Sequence, residues 1–123
     1  MKLIGNGVDI TSVQRMEQLC TGTGFEERYF TEGERAYASQ YRKPYEHFAG
    51  FFCAKEAFSK ALGTGIRDFA LKDVEVSHDE MGRPFLLFHH DLAKRIQQQR
   101  LSFSLSISHC AEYAVANVIA IQL

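Results

Sequence analysis

Large apolar residues and serines alternate without exception over residues 101–108, in the segment LSFSLSIS. A period of two is typical of a β-strand with one buried face. Other apolar runs predict a first strand over 2–10, a hairpin over 72–88 that turns at DEMGRP, and a last strand over 112–123. Gly5 and Gly7 interrupt the first strand, which indicates that another backbone or a ligand comes close to it there.

Between these strands the pattern is helical, and capping signals mark the helix ends. The order of a strand, then helices, then mostly antiparallel strands predicts an α+β fold in which one long helix packs on the sheet. Four helices are predicted. The first is capped by Thr11 with Gln14 and ends near Cys20, and the second starts at the capping box of Thr31 and Glu34 and runs towards Tyr41. The third is long, starts at Pro44 and is ended by Gly63 or Gly65, and the fourth is short and runs from Asp91 to about Gln99.

The length and composition fit a single domain over residues 1–123. Apolar residues make up 46% of the chain, and the formal net charge is −1. This balance argues against a dedicated nucleic-acid binder, which is usually strongly basic. The three cysteines form no C-x-x-C pair. No run approaches the ~20 apolar residues of a membrane helix, and the start is too polar for a signal peptide. We therefore expect a cytoplasmic protein with no membrane partner.

The long helix carries three charged residues among apolar ones, in FFCAKEAFSKAL. Glu56 and Lys60 are four residues apart and therefore lie one above the other on the same face. Helix statistics favour an ordinary surface ion pair, whereas the small and apolar neighbours of this pair favour a functional site. Lys55 points into a phenylalanine stripe, so we expect its stem to be buried and its ammonium group to reach solvent.

Asp9 follows the apolar part of the first strand, where it is either a turn residue or a ligand. If this strand packs on the long helix, Asp9 and Glu56 supply the one or two carboxylates that usually hold Mg²⁺ beside substrate phosphates. His109 follows the serine-rich strand and is a weak candidate for a phosphate contact. His89 and His90 would point to opposite faces of a strand, so they are not a chelating pair.

Four segments, GNGVDI, FAGFFCAKEAFSKALGTGI, MGRPF and SISHCAEYAVA, together resemble the holo-[acyl-carrier-protein] synthases, the small 4′-phosphopantetheinyl transferases, over nearly the whole chain. The resemblance implies a Mg²⁺-dependent enzyme of fatty acid biosynthesis. Such an enzyme moves 4′-phosphopantetheine from coenzyme A to a serine of apo-acyl carrier protein and releases adenosine 3′,5′-bisphosphate. The resemblance also implies a homotrimer with active sites between subunits.

By this resemblance, Asp9 and Glu56 match the metal ligands, and Lys60 matches the lysine near the pyrophosphate. Lys60 would stabilise or protonate the leaving oxygen, and Glu56 would also orient a water that takes the serine proton. The adenosine end of coenzyme A is expected at Ser108, at His109 and at the turn Gly82-Arg83-Pro84, although plain hairpin chemistry explains the turn equally well.

The carrier protein is expected to be acidic and to dock at Arg15, with Arg28 nearby and Met16 as an apolar neighbour. Two features depart from the family pattern. Phe51 stands where the family often has an arginine, and the segment CTGTGFEERYF is poor in arginine.

Two alternatives stay open at this point. One is a non-catalytic module on the same fold that binds coenzyme A or a carrier protein, although such a module has less need of Asp9, Glu56 and Lys60. The other is a hot-dog-type acyl-CoA thioesterase, which is also α+β with an acid on a long helix. A thioesterase would not need Mg²⁺, so a test with EDTA separates the two enzymes.

Overall fold

A computed structural model describes residues 1–63 and 65–123 of the chain. It confirms the predicted α+β architecture, in which helix α4 packs on an antiparallel sheet. The elements in chain order are β1 (Lys2–Ser12), α1 (Val13–Cys20), α2 (Phe25–Tyr29), α3 (Glu32–Ser39), α4 (Pro44–Leu62), a 3₁₀ turn (Leu71–Asp73), β2 (Val74–His78), β3 (Pro84–Phe88), α5 (His90–Gln98), β4 (Leu101–His109) and β5 (Tyr113–Gln122).

Strand β5 lies between β1 and β4 in a three-stranded antiparallel sheet. Strands β2 and β3 pair separately, as the predicted hairpin. Helix α4 crosses one face of the larger sheet. In the described part of the chain, no helix combines the length and the apolar content needed to cross a bilayer.

Two glycines let strand β1 approach helix α4 closely. A Cβ atom at Gly5 would collide with the carbonyl oxygen of Ala61, and one at Gly7 with that of Ala57. Side chains larger than hydrogen are therefore excluded at both positions. This confirms the expected close approach of another backbone, and it brings β1 against the part of α4 that carries Glu56 and Lys60.

The core is built around α4. Phe58 is fully buried, and its ring centroid lies 5.5, 5.2 and 5.1 Å from those of Phe69, Phe88 and Phe103. Burying one such side chain contributes about 1.5–3 kcal/mol. Helix α4 is thus anchored along its buried face, which makes it a rigid support for the charged residues on its other faces.

The first helix begins one residue later than predicted. The N-cap is Ser12, whose hydroxyl accepts a hydrogen bond from the Arg15 amide at 3.2 Å. Strand β1 stays paired with β5 as far as Ser12, opposite Tyr113, so the chain is still extended at Thr11. The hydroxyl of Thr11 instead donates to Asp9 at 3.4 Å. The predicted capping box of Thr11 and Gln14 is therefore wrong.

Helices α5 and α2 also differ from the prediction, whereas the predicted start of α3 and end of α4 are correct. Helix α5 begins at His90 rather than at a cap on Asp91, because Asp91 lies in its first turn and pairs with Arg95 at 3.1 Å. The sequence does not predict α2, which has only five residues and follows Gly24 at a φ of +76°. The capping box at the start of α3 is confirmed, and Gly63 ends α4.

The prediction that the Lys55 ammonium group reaches solvent is wrong. Lys55 is fully buried, and its Nζ lies 2.9 Å from Glu34 Oε1. It also donates to the carbonyl oxygens of Leu71 and Val74, at 2.9 and 2.5 Å. Three acceptors match the three protons of an ammonium group. Glu34 comes from α3, so the periodicity of α4 alone contains no sign of it.

Candidate active site

Asp9 of strand β1 and Lys60 of helix α4 form an ion pair. The Lys60 Nζ lies 3.1 Å from Asp9 Oδ1 and donates to the carbonyl oxygen of Val8 at 3.0 Å. The Lys60 side chain is 55% exposed. An ammonium group has three N–H donors, so one remains for a ligand. The contacts of Gly5 and Gly7 with α4 hold the strand close enough for this pair to form.

Glu56 lies one helical turn before Lys60 and adds a second carboxylate. Burial raises the pKa of Glu56, the charge of Asp9 raises it further, and Lys60 opposes both effects. The two carboxylates are therefore close enough to repel each other in a partly buried place. A divalent cation relieves such repulsion, and oxygen ligands of this kind suit Mg²⁺.

No group of three or more His, Cys, Asp or Glu side chains is placed to hold a metal ion within residues 1–63 and 65–123. A cation at Asp9 and Glu56 would therefore take its other ligands from substrate phosphates and water, which is the usual arrangement for Mg²⁺. The two carboxylates fit this limited role.

Both carboxylates border one cavity of about 480 Å³, which we call the carboxylate cavity. Its walls come from β1, α1, α2 and α4, and its apolar part includes Leu19, Phe25 and Phe52. Phe52 and Glu56 are one turn apart on α4 and line the same side. The cavity therefore combines two acids with an apolar wall, which suits a ligand with a charged and an apolar part.

Arg15 also borders the carboxylate cavity and is exposed. Arg28 is exposed on α2, with its guanidinium 6.0 Å from the ring of Tyr29. Met16 is fully buried. The expectation that Met16 offers an apolar surface to a partner does not fit this burial, because helix α1 turns it into the core.

A second cavity, of about 170 Å³, is lined by His47, His78 and His109 together with Tyr37, Gly50, Phe51, Gly82, Pro84 and Ile107. We call it the histidine cavity. It contains three of the residues predicted for the adenosine end of coenzyme A: Gly82, Pro84 and His109. It shares no lining residue with the carboxylate cavity. Within one subunit, the two halves of the predicted site are therefore separate.

The structure does not bring Ser108 and Arg83 into the histidine cavity. Ser108 is exposed and, as the neighbour of His109 on β4, points to the opposite face of the sheet. Arg83 borders an adjoining cavity with Phe103 and Ser104 and is connected to the histidine cavity only through Pro84. Within one subunit, Ser108 and Arg83 therefore do not share a cavity with His109, and their role at the adenosine end stays a prediction.

Sequence reasoning did not identify His47, His78 and Tyr37. The rings of Tyr37 and His78 stack at 3.9 Å with 6° between their planes, and His47 lies 5.1 Å from His109. Tyr37, His47 and His78 come from α3, α4 and β2, so no single periodic pattern links them. The only local signal is that His47 precedes Phe51 by one turn of α4. Phe51 lines this cavity, but its phenyl ring has no hydrogen-bond donor for a phosphate.

The family model described as the 4′-phosphopantetheinyl transferase superfamily matches residues 5–118. The chain belongs to the 4′-phosphopantetheinyl transferase superfamily. This confirms the resemblance found in the sequence, and the match covers both Asp9 and the charged part of α4. It argues against the thioesterase alternative, which depended only on an acid on a long helix.

Relatives within the superfamily agree with this assignment. The holo-[acyl-carrier-protein] synthase of Caldanaerobacter subterraneus is 42% identical over 118 residues, which is 94% of this chain and 92% of the relative. The solved structure of the Neisseria meningitidis synthase superposes with a TM-score of 0.87 at 35% identity, covering 98% of this chain and 99% of that one. The Bacillus anthracis synthase, solved in complex with CoA (3′,5′-ADP), has a TM-score of 0.82 at 36% identity and covers all of both chains.

Proposed function

We propose that this member of the superfamily transfers 4′-phosphopantetheine from coenzyme A to a serine of an apo-acyl carrier protein. The observation that carries the proposal is the convergence of Asp9, Glu56 and Lys60 beside one cavity. Two carboxylates that can hold a divalent cation and a lysine suit a reaction at a phosphorus atom. The relatives with the same fold are holo-[acyl-carrier-protein] synthases, and one of them was solved with coenzyme A.

Asp9 and Glu56 would hold Mg²⁺, which neutralises charge on the pyrophosphate of coenzyme A when it is bound. The free N–H of Lys60 donates to the pyrophosphate. The serine oxygen forms a bond to the β-phosphorus, and the bond from that phosphorus to the oxygen of the departing adenosine 3′,5′-bisphosphate breaks. The serine proton passes to a water that Glu56 orients, and Lys60 stabilises the negative charge on the leaving oxygen.

Helix α4 suits this chemistry because catalysis of phosphoryl transfer is mainly positioning and electrostatics. Glu56 and Lys60 lie on one rigid helix, and the close contact with β1 sets their position relative to Asp9. Burial raises the pKa of Glu56, which makes its carboxylate a stronger base.

The three-stranded sheet supports the inference of a homotrimer with active sites between subunits. Its face opposite α4 presents exposed apolar residues: Val8, Ile10, Tyr113 and Val115. Ile10 also borders the carboxylate cavity, and His109 of the histidine cavity is next to Ser108 on this face. Both cavities thus flank the uncovered face. Covering it with further copies would bring the carboxylate cavity of one subunit to the histidine cavity of another.

We expect Val8→Lys to dissociate the trimer, because it places a charge on the apolar face. Leu87→Lys is the matched control: Leu87 is 40% exposed on β3, away from this face. Sedimentation velocity at micromolar concentration should give a trimer for the wild type and for Leu87→Lys, and smaller species for Val8→Lys. A stable wild-type monomer at this concentration would contradict the assembly.

A cytoplasmic setting is inferred from the cysteines as well as from the family. Cys20, Cys53 and Cys110 are all free. Burial raises the pKa of Cys20 to about 12 and that of Cys53 to about 11, so both thiols are unreactive near neutral pH. Free cysteines are typical of reducing compartments.

Arg15 is the residue that we expect to dock the acidic carrier protein, since it is exposed at the rim of the carboxylate cavity. Arg15→Glu should raise the KM for the carrier strongly at low salt and little at high salt, because the Debye length falls from ~10 Å at 0.1 M to ~3 Å at 1 M. The KM for coenzyme A should hardly change. Lys94→Glu, an exposed charge reversal on α5, is the control. Equal carrier kinetics of Arg15→Glu and wild type at low salt would place docking elsewhere.

Product analysis tests the proposed reaction against its alternatives. The protein is incubated with coenzyme A, Mg²⁺ and an apo-carrier protein, and adenosine 3′,5′-bisphosphate is followed by chromatography. We expect release that requires the carrier and stops on addition of EDTA. A non-catalytic module would bind coenzyme A without releasing this product, and a thioesterase would hydrolyse acyl-coenzyme A in the presence of EDTA.

A further inference from the structure

The histidine cavity has an unusual lining for a site that would face phosphates. Its histidines come from three elements: His47 from α4, His78 from the end of β2 and His109 from the end of β4. Among the residues that the structure describes, its lining contains no lysine, arginine, aspartate or glutamate. Within one subunit, positive charge on its wall therefore comes from protonated imidazole.

Two of these imidazoles stack on tyrosines. His78 lies parallel to Tyr37 at 3.9 Å, and His47 lies 4.0 Å from Tyr41 at 31° between the planes. The face of an aromatic ring attracts a cation, so each tyrosine favours the protonated form of its histidine. Within the described residues, no ring nitrogen of His47 or His78 has a hydrogen-bond partner, whereas His109 is bonded to Glu46 at 2.9 Å.

The neighbouring titratable groups are engaged elsewhere. Glu46, on α4, is bound to His109. Asp79, which follows β2, accepts hydrogen bonds from the amides of Met81 and Arg83 at 2.9 and 2.8 Å. The hydroxyl of Tyr41, which follows α3, donates a hydrogen bond to the hydroxyl of Tyr37 within that helix. No acid is hydrogen-bonded to His47 or His78 within the described residues. Burial lowers the pKa of both histidines, and the charges of His109 and His78 lower that of His47 further. Glu46 raises the pKa of His47 and Asp79 raises that of His78, but neither acid outweighs burial.

We infer that binding of the nucleotide end of coenzyme A in the histidine cavity is coupled to proton uptake, because protonated His47 and His78 supply the positive charge that faces a phosphate of the ligand. This rests on the proposed function for the identity of the ligand. The aromatic wall of Tyr37 and Phe51 gives the same cavity a surface for the apolar part of a nucleotide. His47 and His78 would therefore bind the phosphate in their protonated form, and this binding would depend on pH.

The direction in which the affinity for coenzyme A changes with pH follows from the uptake of protons on binding. In the free protein both histidines are neutral near pH 7.5, because burial lowers their pKa from the ordinary value. A bound phosphate favours the charged form and raises the pKa in the complex. The affinity gained in this way is fully present below the free pKa and is lost as pH rises through the pKa of the complex. A phosphate that titrates near pH 6 gives the opposite trend, since its dianion binds better at higher pH.

Calorimetric titration of the full-length protein with coenzyme A between pH 6.5 and 8.5 tests the inference. We expect Kd to rise by up to about tenfold per pH unit for each coupled proton. Titrations in two buffers with different ionisation enthalpies should show net proton uptake. His47→Gln and His78→Gln should each weaken binding at pH 6.5 and reduce the proton uptake. His90→Asn, at an exposed histidine on α5, should leave both unchanged.

A second ligand identifies the phosphate. Dephospho-coenzyme A lacks the 3′-phosphate. If the pH dependence of Kd is lost with this ligand, the inference is supported and the contact is assigned to the 3′-phosphate. If the pH dependence is kept, the inference is supported and the contact is assigned to the pyrophosphate. Binding of coenzyme A with a pH-independent Kd and no proton uptake would overturn the inference and leave the proposed function standing. Absence of any binding of coenzyme A to the wild type would overturn both.

Discussion

Glu56→Gln and Asp9→Asn should each reduce the rate of phosphopantetheine transfer by about 10²–10⁴-fold. Each substitution keeps the shape of the side chain and removes one of the two negative charges beside the carboxylate cavity. The lost charge weakens the hold on the cation, and in Glu56→Gln it also removes the carboxylate that orients the water which takes the serine proton. Steady-state rates with saturating coenzyme A and apo-carrier protein give the measurement.

The fold should survive both changes. Asp9 pairs with a Lys60 side chain that is 55% exposed, and surface ion pairs of this kind contribute only about 0–1 kcal/mol. Urea unfolding should therefore give free energies within about 1 kcal/mol of the wild type. Glu80→Gln, in the exposed turn between β2 and β3, is the control for loss of a carboxylate and should keep full activity. Activity close to wild type in Asp9→Asn or in Glu56→Gln would contradict the assigned roles.

Lys55→Met should lower the free energy of unfolding by about 3–5 kcal/mol, because it leaves the buried carboxylate of Glu34 without its charged partner. Domains of this size are usually stable by only 5–15 kcal/mol, so this is a large fraction of the total. Two carbonyl oxygens, those of Leu71 and Val74, also lose their donor. Urea denaturation at a fixed protein concentration measures the change.

The double variant Lys55→Met/Glu34→Gln separates the ion pair from simple loss of packing. Glutamine removes the buried charge and keeps an oxygen that can accept the amide of Thr31 or Val76, to which Glu34 is now bonded at 2.9 and 2.8 Å. We expect the double variant to be less destabilised than the sum of the two single variants. Lys94→Met, on the surface of α5, should change stability by less than about 0.5 kcal/mol. An equally small effect of Lys55→Met would show that the pair does not stabilise the fold.

The sequence was sufficient for the parts of the fold that have a local pattern. The alternation in β4, the capping box at Thr31 and the glycines of β1 each reflect a constraint that acts within a few residues, and the structure agrees with all three. The errors at Thr11 and Asp91 have different causes. Pairing of β1 with β5 keeps Thr11 extended, whereas Asp91 lies in the first turn of α5 and pairs with Arg95. A single capping residue contains neither piece of information.

The candidate site also has a part that a local sequence pattern reveals and a part that depends on contacts between distant segments. Asp9, Glu56 and Lys60 were found because a long motif contains two of them and the strand before it contains the third. The ion pair of Lys55 with Glu34 and the grouping of His47 with His78 depend on contacts between elements that are distant in the sequence. Ser108 and His109 are adjacent in the sequence and still face different sides of the sheet, because successive residues of a strand point in opposite directions.

The intact mass of the carrier protein tests the central claim most directly. An apo-carrier protein is incubated with this protein, coenzyme A and Mg²⁺, and then measured by mass spectrometry. We expect the mass to increase by one phosphopantetheine group, and we expect no increase when the acceptor serine of the carrier is replaced by alanine or when the enzyme carries Glu56→Gln. An unchanged carrier mass, under conditions in which coenzyme A binds and the carrier is modified by another transferase, would contradict the proposed function.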